Sequence, residues 1–209
     1  MDDKSTLRQN QKQQTKRTKV SAIILGAVAL TAAVISCDNQ KENKTTVQAI
    51  SNDSLVKRGA YLVNSIGCDD CHSPKKMGPH GPEVVAETRF GGFLASNPIG
   101  KVDTNVIKNG WAMFGPDFTN TVGPWGMSFA ANISSDETGI GNWSEQQFIT
   151  ALRKGKLKGL EGSRDLLPPM PWFVYKNLTD EDLRSIYAYL KTTKPVKNVV
   201  PAPKALADL

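Results

Sequence analysis

One pentapeptide, Cys68-Asp69-Asp70-Cys71-His72, constrains what this chain can fold into more than any other stretch. In a helix, cysteines three residues apart place both thiols on one face, one turn from each other. The histidine that follows can then reach over a flat group that the thiols hold. This is the attachment pattern of a c-type haem, in which the thiols add to two vinyl groups of the porphyrin and the imidazole binds the iron.

Other interpretations of the same residues explain less. A thioredoxin-like cysteine pair occurs in a βαβ setting, whereas the pattern around Cys68 is helical. A structural zinc site needs four ligands, and beyond the pentapeptide only Cys37 and His80 are obvious donors. A plain disulfide leaves the role of His72 unexplained. The chain contains one such string, so the sequence predicts one covalent haem.

An iron held by His72 needs a second axial ligand on its opposite face. His80 is only eight residues away, which makes that face hard to reach. Met170 lies in the segment Leu167–Trp172, where three prolines stiffen the backbone and suit a thioether held on a metal. The other internal methionines are interpreted as core residues: Met77, Met113 and Met127. The sequence therefore predicts a His72/Met170 pair.

Residues 1–36 have the pattern of an export signal. A basic cluster ends at Lys19, and the next 16 residues carry no charge, which is short for a spanning helix of ~20 residues and typical of a signal-peptide core. The run ends at Cys37, in a context that resembles the lipobox of bacterial lipoproteins, whose cysteine is lipidated. Residues 37–53 are then predicted to form a flexible tether. An uncleaved anchor helix is the alternative, and both interpretations place the rest of the chain outside the cytoplasm.

The formal net charge of +6 in 209 residues is unevenly distributed. Residues 1–36 hold six Lys/Arg and two Asp/Glu, while residues 37–209 hold 20 and 18, a difference of only +2. A nearly neutral body gives little support for nucleic-acid binding. Hydrophobic residues make up 39% of the chain, which is ordinary for a globular domain and excludes a polytopic membrane protein or a wholly disordered chain.

The first predicted helix runs from about residue 54 to residue 66, where apolar residues recur at helical spacing. Gly59 lies on that apolar face, which indicates either a local imperfection or a close helix crossing. Residues 73–131 follow with weak periodicity, four Gly-Pro steps and one Gly-Gly step. A loop region of this length needs something to pack on, and the predicted helices build only a thin core. The sequence thus predicts a large apolar object at the centre of the domain.

Two later helices carry strong end signals. Ser144 caps one of them, Gln147 completes a capping box, and Gly155 is a plausible stop. Thr179 caps the last helix in the same way, and Pro195 prevents its continuation. The sequence therefore predicts three helices separated by long loops.

These residues together resemble class I cytochromes c. A helix with a glycine, the haem string, a loop layer, a helix, a Met-Pro loop and a last helix follow in that order over about residues 54–193. The sequence is most similar to haem domains of the cytochrome subunits that serve membrane alcohol and aldehyde dehydrogenases. The matching stretches are Arg58–Val63, Ala131–Ser134, Thr138–Trp143 and Pro168–Pro171. Those subunits usually carry three haem domains, whereas this chain contains one attachment string.

The resemblance implies an all-α class I cytochrome c fold, with three or more helices around one covalent haem and a long loop-rich insertion. It implies a monohaem domain over residues 54–198, followed by a proline-containing tail over residues 199–209 that we expect to lie extended on the surface. It also implies that Gly59 and Tyr187 mark the crossing of the first and last helices.

The same resemblance implies roles for residues that support the haem. A proline carbonyl is expected to accept the hydrogen bond of the His72 Nδ1–H, and both Pro79 and Pro82 qualify. Trp143 is expected to donate to a haem propionate. Its position also fits a purely structural role, as the partner of Phe148 in a hydrophobic staple.

A haem with both axial positions filled by protein groups suits electron transfer rather than substrate binding. We therefore expect a membrane-tethered monohaem electron carrier that is not itself an enzyme. Its donor would be a dehydrogenase or a quinol-oxidising complex, and its acceptor a terminal oxidase or another cytochrome. A haem peroxidase or small-molecule sensor with a labile sixth site is one alternative, and a haem subunit fixed in a dehydrogenase complex is another.

A group of basic residues lies between the predicted helix that Ser144 caps and the loop that contains Met170: Arg153, Lys154, Lys156, Lys158 and Arg164. Such a group near an exposed haem edge could steer a redox partner. A solvated basic turn is the alternative, because runs of charge are commonly just that.

Overall fold

A computed structural model describes residues 51–209, so the predicted signal peptide, Cys37 and most of the predicted tether lie outside the described residues. Within residues 51–209 the chain forms six α-helices and two small antiparallel sheets. None of the helices in this part of the chain is both long and apolar enough to cross a membrane.

Helices α1 (Asn52–Ser65) and α6 (Asp180–Leu190) pack against each other as the main helix pair. Each begins at a hydroxyl cap that accepts a backbone N–H three residues on: Ser51 caps α1, and Thr179 caps α6 as predicted. Both helices bury apolar residues in one core: Leu62, Val63, Leu183, Ile186 and Leu190. The first helix begins two residues earlier than the sequence predicts, because the cap lies at residue 51.

Gly59 lies where α1 crosses α6, so the close-crossing interpretation is confirmed. A Cβ atom on Gly59 would overlap the backbone carbonyl oxygen of Ser185 and crowd the side chain of Tyr189. The predicted partner Tyr187 is wrong, since its hydroxyl instead donates to the Trp143 carbonyl at 2.7 Å. Residues 185 and 189 are one helical turn apart and share a face, whereas residue 187 projects from another face.

Helix α2 (Cys68–His72) is a short helix that carries the cysteine–histidine pentapeptide. Gly67 separates it from α1 and has a φ of 79°. This left-handed conformation is accessible to glycine without steric cost. The chain can therefore turn sharply after α1 and start a new helix at Cys68.

The region predicted to consist of loops contains five short strands. In chain order they are β1 (Lys75–Gly78), β2 (Gly81–Val84), β3 (Met113–Phe114), β4 (Asn120–Gly123) and β5 (Gly126–Phe129). The first two form one antiparallel hairpin, and the other three form an antiparallel sheet in the order β3-β4-β5. Helix α3 (Thr104–Lys108) lies between the two sheets in the chain. The predicted all-α class thus holds only for the helical part of the structure. The sequence did not predict the strands, because segments of two to four residues are too short to show an alternating pattern.

We call residues 73–131 the inserted region, and a second, smaller core lies in it. Ile107 of α3, Val122 of β4 and Met127 of β5 form it, and Leu206 of the tail packs against them. Met127 is 1% exposed, which confirms its predicted core role. The backbone of Met127 also exchanges two hydrogen bonds with Lys204, at 2.9 and 3.0 Å. No residue of the tail 199–209 is buried, as expected for a tail on the surface, and this backbone pair attaches it to β5.

Helix α4 (Glu145–Lys154) has the ends that the sequence predicts. The Ser144 hydroxyl accepts the Gln147 N–H at 3.2 Å, and the Gln147 side chain accepts the Ser144 N–H at 3.0 Å. Gly155 ends the helix with a φ of 64°. One further turn of helix, α5 (Trp172–Tyr175), follows the predicted Met170 loop and leads towards α6.

Replacing Gly59 by Ala tests the crossing of α1 and α6. Alanine would normally favour a helix interior by up to ~1 kcal/mol, but its methyl group overlaps the Ser185 backbone, which cannot swing aside. We expect the free energy of unfolding to fall by about 1–3 kcal/mol, as for other overpacked sites, in urea unfolding followed by circular dichroism. Gly162→Ala is the matched control, because nothing lies within 4 Å of a Cβ there. Equal stability of the two variants would contradict the crossing.

Candidate functional site

A cavity of about 750 Å³ lies between the helical core and the inserted region. The residues that line it come from α2, β4, β5, α4, the Met170 loop, α6 and the tail. Much of its wall is apolar and includes Ile66, Ile133, Ile140, Phe148, Leu152 and Ile186. The residues predicted to attach, ligate or contact a haem line it together: Cys68, Cys71, His72, Trp143 and Met170.

The carboxylate of Asp69 fixes α2 to the rest of the domain. It accepts hydrogen bonds from Arg89 Nη2 at 2.6 Å, from Arg89 Nε at 2.9 Å and from the Ser73 hydroxyl at 2.6 Å. Arg89 also donates to the Asn64 side chain of α1 at 2.7 Å. Burial raises the pKa of Asp69, but the hydrogen bonds from Arg89 and Ser73 and the charge of Arg89 outweigh it, so this pKa lies below its usual value. Arg89 thereby joins α2 to α1, and no local sequence signal indicates that role.

Lys75 holds the carboxyl end of α2. Its ammonium group donates to the carbonyl oxygens of Asp69, Asp70 and Ser73 at 2.9, 2.7 and 2.8 Å. Carbonyls at the end of a helix lack partners within the helix, and a cation there is favoured by the helix dipole. The short helix that carries the thiols is therefore anchored at both ends.

His72 is oriented by a hydrogen bond from its ring. The Nδ1–H donates to the Ala131 carbonyl at 2.7 Å. Residues 90–92 link His72 to the segment that contains Ala131 through two backbone hydrogen bonds. The Gly92 N–H donates to the His72 carbonyl, and the Ile133 N–H donates to the Phe90 carbonyl, both at 2.8 Å. A proton on Nδ1 leaves the lone pair of Nε2 available for a metal. Burial lowers the pKa of His72, and the bond to Ala131 offsets only part of that effect, so the ring is neutral at pH 7.

The predicted proline acceptor for His72 is wrong. Pro79 lies in the turn between β1 and β2, Pro82 lies in β2, and both are exposed. Any residue can supply a backbone carbonyl, so side-chain identity does not indicate which one accepts this bond. The acceptor, Ala131, begins one of the four stretches on which the resemblance to class I cytochromes rests.

The two thiols of α2 are half-buried. Burial, with the negative charges of Asp69 and Asp70 adding to it, raises the pKa of Cys68 to about 12. Burial also raises the pKa of Cys71. Redox-active and nucleophilic cysteines have lowered pKa values instead. These raised pKa values do not favour the thioredoxin-like interpretation, and both thiols line the cavity.

Met170 is the only methionine among residues 51–209 that lines the cavity. The predicted core role of Met77 is wrong, because its side chain projects from β1 into solvent and is 76% exposed. Met127 belongs to the second core, and Met113 packs against it. The other histidine, His80, is exposed in the turn between β1 and β2. Within this part of the chain, Met170 is thus the one thioether that shares a cavity with the His72 ring.

Trp143 and Tyr175 line the cavity from the helical side. Trp143 packs against the core that contains Phe148, which is consistent with its predicted structural role. It also lines the cavity, and its contact with a haem stays a prediction. The Tyr175 hydroxyl donates to the Ile66 carbonyl at 2.9 Å. Burial raises the pKa of Tyr175 to about 12, so the hydroxyl keeps the proton that makes this bond. The sequence analysis did not identify Tyr175 as a cavity residue, because it belongs to no recognisable motif.

The five basic residues separate into two groups. Arg153 donates to the carbonyls of Lys176 and Leu178 and pairs with Asp180. Two further ion pairs, at 2.5 and 2.6 Å, join Lys154 to Glu161 and Lys156 to Asp165. Lys158 and Arg164 are exposed residues that line the cavity. Only the last two therefore place a cation at the cavity mouth.

No protein-family model matches the chain, but individual relatives do. The cytochrome subunit of fructose dehydrogenase from Gluconobacter japonicus is 30% identical over 185 residues, with 86% of this chain and 30% of the relative covered. The gluconate 2-dehydrogenase cytochrome c subunit from Pantoea cypripedii is 28% identical over 190 residues, with 90% and 30% covered. The cytochrome c subunit of alcohol dehydrogenase (quinone) from Gluconobacter oxydans is 28% identical over 148 residues, with 70% and 23% covered.

The homologues of this chain thus include cytochrome c subunits of fructose, gluconate and alcohol dehydrogenases, at modest identity over most of the chain. This confirms the resemblance that the sequence motifs indicated. The chain spans about 30% of the length of the first two relatives.

Arg89→Gln tests the anchoring of α2. The variant keeps a polar side chain but leaves the Asp69 carboxylate without its charged partner. We expect the free energy of unfolding to fall by about 1–3 kcal/mol, the usual effect of losing a hydrogen bond to a charged group, in urea unfolding of the purified protein. Lys57→Gln is the control, because its ion pair with Asp53 is fully exposed on α1 and is screened by solvent, so its loss should have little effect on stability. A loss no larger than that of the control would show that Arg89 does not anchor α2.

Proposed function

We propose that this chain is a monohaem c-type cytochrome with a class I fold, which transfers single electrons for a dehydrogenase. The observation that carries the proposal is the convergence of Cys68, Cys71, His72 and Met170 on one cavity. Cys68, Cys71 and His72 belong to one pentapeptide, whereas Met170 lies 98 residues after His72 with the inserted region between them. The haem c that the homologues' names imply is the group that needs all four.

The residues of the cavity fit a covalently attached haem. Its volume lies within the range of about 300–1,000 Å³ that is usual for pockets of organic ligands and cofactors. Cys68 and Cys71 would form the two thioethers, and His72 and Met170 would be the axial ligands. The exposed cations Lys158 and Arg164 at the mouth suit the two carboxylates of the porphyrin. One attachment string supports one haem in this chain.

A haem bound here would supply a one-electron couple between ferric and ferrous iron. The protein contributes a fixed environment to that couple. The bond from His72 to Ala131 holds the imidazole in one orientation, and the apolar wall keeps water away. A thioether ligand and a low-dielectric pocket both favour the ferrous form. With His72 and Met170 both holding the iron, electron transfer would require little rearrangement.

The names of the relatives support a dehydrogenase as the electron donor. We propose that the chain is an electron-transfer protein rather than the catalytic subunit, and that a terminal oxidase or another cytochrome accepts the electron. A haem subunit fixed in a dehydrogenase complex fits the same relatives. A peroxidase or sensor would need a labile sixth ligand, and the stiff, proline-flanked Met170 loop argues against that.

We also propose that the chain is exported and anchored to a membrane through a lipid on Cys37. The support comes from the sequence alone, in the uncharged run of residues 20–35, the cysteine directly after Ser36 and the polar tether that follows. An exported haem domain on a tether could reach redox partners at the membrane surface.

Met170→Ala tests the axial ligand. A thioether bound to ferric haem gives a weak far-red charge-transfer band, which the variant should lose. Its ferrous form should also bind carbon monoxide, while the haem stays covalently attached because Cys68, Cys71 and His72 are unchanged. Optical spectroscopy of the purified protein measures both effects. Met77→Ala, at an exposed position, should behave like the unmodified protein. A Met170→Ala variant that kept the band would show that another residue binds the iron.

Cys37→Ser tests the lipid anchor. Serine has no thiol for lipid attachment, so the haem domain should leave washed membranes or accumulate as an unprocessed precursor. Fractionation and the mass of the mature chain provide the measurement. Normal processing with an unchanged membrane distribution would contradict the lipid anchor at Cys37.

A further inference from the structure

The loop that carries Met170 has few hydrogen bonds of its own. Pro168, Pro169 and Pro171 lack backbone N–H groups, so the segment Leu167–Pro171 can donate only from Leu167 and Met170. The Met170 N–H donates to the Leu167 carbonyl at a long 3.3 Å. Proline stiffens such a loop internally but does not fix its position relative to the rest of the protein.

One hydrogen bond reaches this segment from a distant part of the chain. The Ser128 hydroxyl, on β5, donates to the Pro168 carbonyl at 2.6 Å. Among residues 51–209 it is the one side-chain hydrogen bond between the segment Leu167–Pro171 and another element. Ser128, Pro168 and Met170 all line the same cavity.

The direction of the Ser128 hydroxyl is fixed by its neighbours. A carbonyl cannot donate, so the single hydroxyl proton of Ser128 is used on Pro168. The Thr121 hydroxyl, 2.8 Å away across the β4–β5 register, must therefore donate to Ser128 Oγ. The Trp125 Nε1–H donates to the same oxygen at 3.3 Å. The oxygen accepts two hydrogen bonds and donates one, which satisfies it completely.

The β4–β5 hairpin that presents Ser128 is a firm support. Val122 and Met127, on the face opposite to Thr121 and Ser128, are buried in the second core. The backbone of Met127 is paired with Lys204 of the tail on its outer side. A group held by this hairpin therefore keeps its place relative to the second core.

We propose that Ser128 is a positioning residue that holds the Met170 thioether in place through the Pro168 carbonyl. This inference rests on the proposed His72/Met170 ligation. It gives the inserted region a specific task, because the hairpin secures the loop that supplies the axial ligand. The bond should keep the loop closed over the iron without touching the iron itself.

The test uses the full-length, haem-loaded protein and the rate at which carbon monoxide binds its ferrous form. Carbon monoxide can enter only when the loop has released the iron, so the rate follows the open fraction. Loss of one hydrogen bond should raise this rate by about threefold to tenfold in Ser128→Ala and weaken the far-red band of the ferric form. Ser128→Thr keeps the hydroxyl and should restore both signals towards the unmodified values.

Ser163→Ala is the matched control, because it removes a serine hydroxyl that donates to the Leu157 carbonyl at 2.8 Å and makes no hydrogen bond to the segment Leu167–Pro171. If Ser128→Ala loses the haem, Thr121→Val is measured instead. This variant keeps the hydrogen bond from Ser128 to Pro168 but removes the one that Thr121 donates to Ser128. It should raise the rate of carbon monoxide binding by a smaller factor. An unchanged rate in the variant measured, or an equal rise in Ser163→Ala, overturns the role of Ser128. An unmodified protein without the far-red band overturns the proposed ligation instead.

Discussion

The hydrogen bond from the His72 ring to the Ala131 carbonyl is the contact on which the rest of the site depends. It joins the short helix α2 to the end of the inserted region, two segments that lie far apart in the chain. It also selects the ring tautomer, because a proton held on Nδ1 leaves Nε2 free to bind a metal. Arg89 and Lys75 serve the same contact by fixing the helix that carries the histidine.

The inserted region completes the cavity that the helices alone leave open. The helical core supplies one wall, through residues such as Phe148 and Ile186. The second core supports the opposite wall, where β4 and β5 face the Met170 loop. The tail packs against β5 and adds its own residues to the lining. Two small cores around one large apolar cavity explain how a chain with a thin helical core can form a domain.

Features that depend on local chemistry could be predicted from the sequence. The Ser144 and Thr179 caps lie within three residues of their partners, so the sequence shows both halves of each contact. The pentapeptide indicated attachment chemistry because its spacing itself fixes the geometry of the thiols.

Features that depend on distant contacts could not be predicted in this way. The acceptor for His72 is a backbone carbonyl, which any residue can supply. Arg89 and Ser128 lie in stretches without periodicity, and their partners are separated from them by 20 and 40 residues. The strands are too short to show alternation. The crossing partner of Gly59 depends on how two helices rotate against each other, which the sequence of either helix alone does not fix.

An anaerobic redox titration of the purified, full-length protein tests the central claim most directly. A covalent haem in this apolar cavity, bound by the His72 imidazole and the Met170 thioether, should titrate as a single one-electron couple with a clearly positive midpoint potential, since a methionine ligand and a low dielectric both favour the ferrous form. A strongly negative midpoint would contradict the His72/Met170 ligation, and two or more separate couples would contradict a single haem.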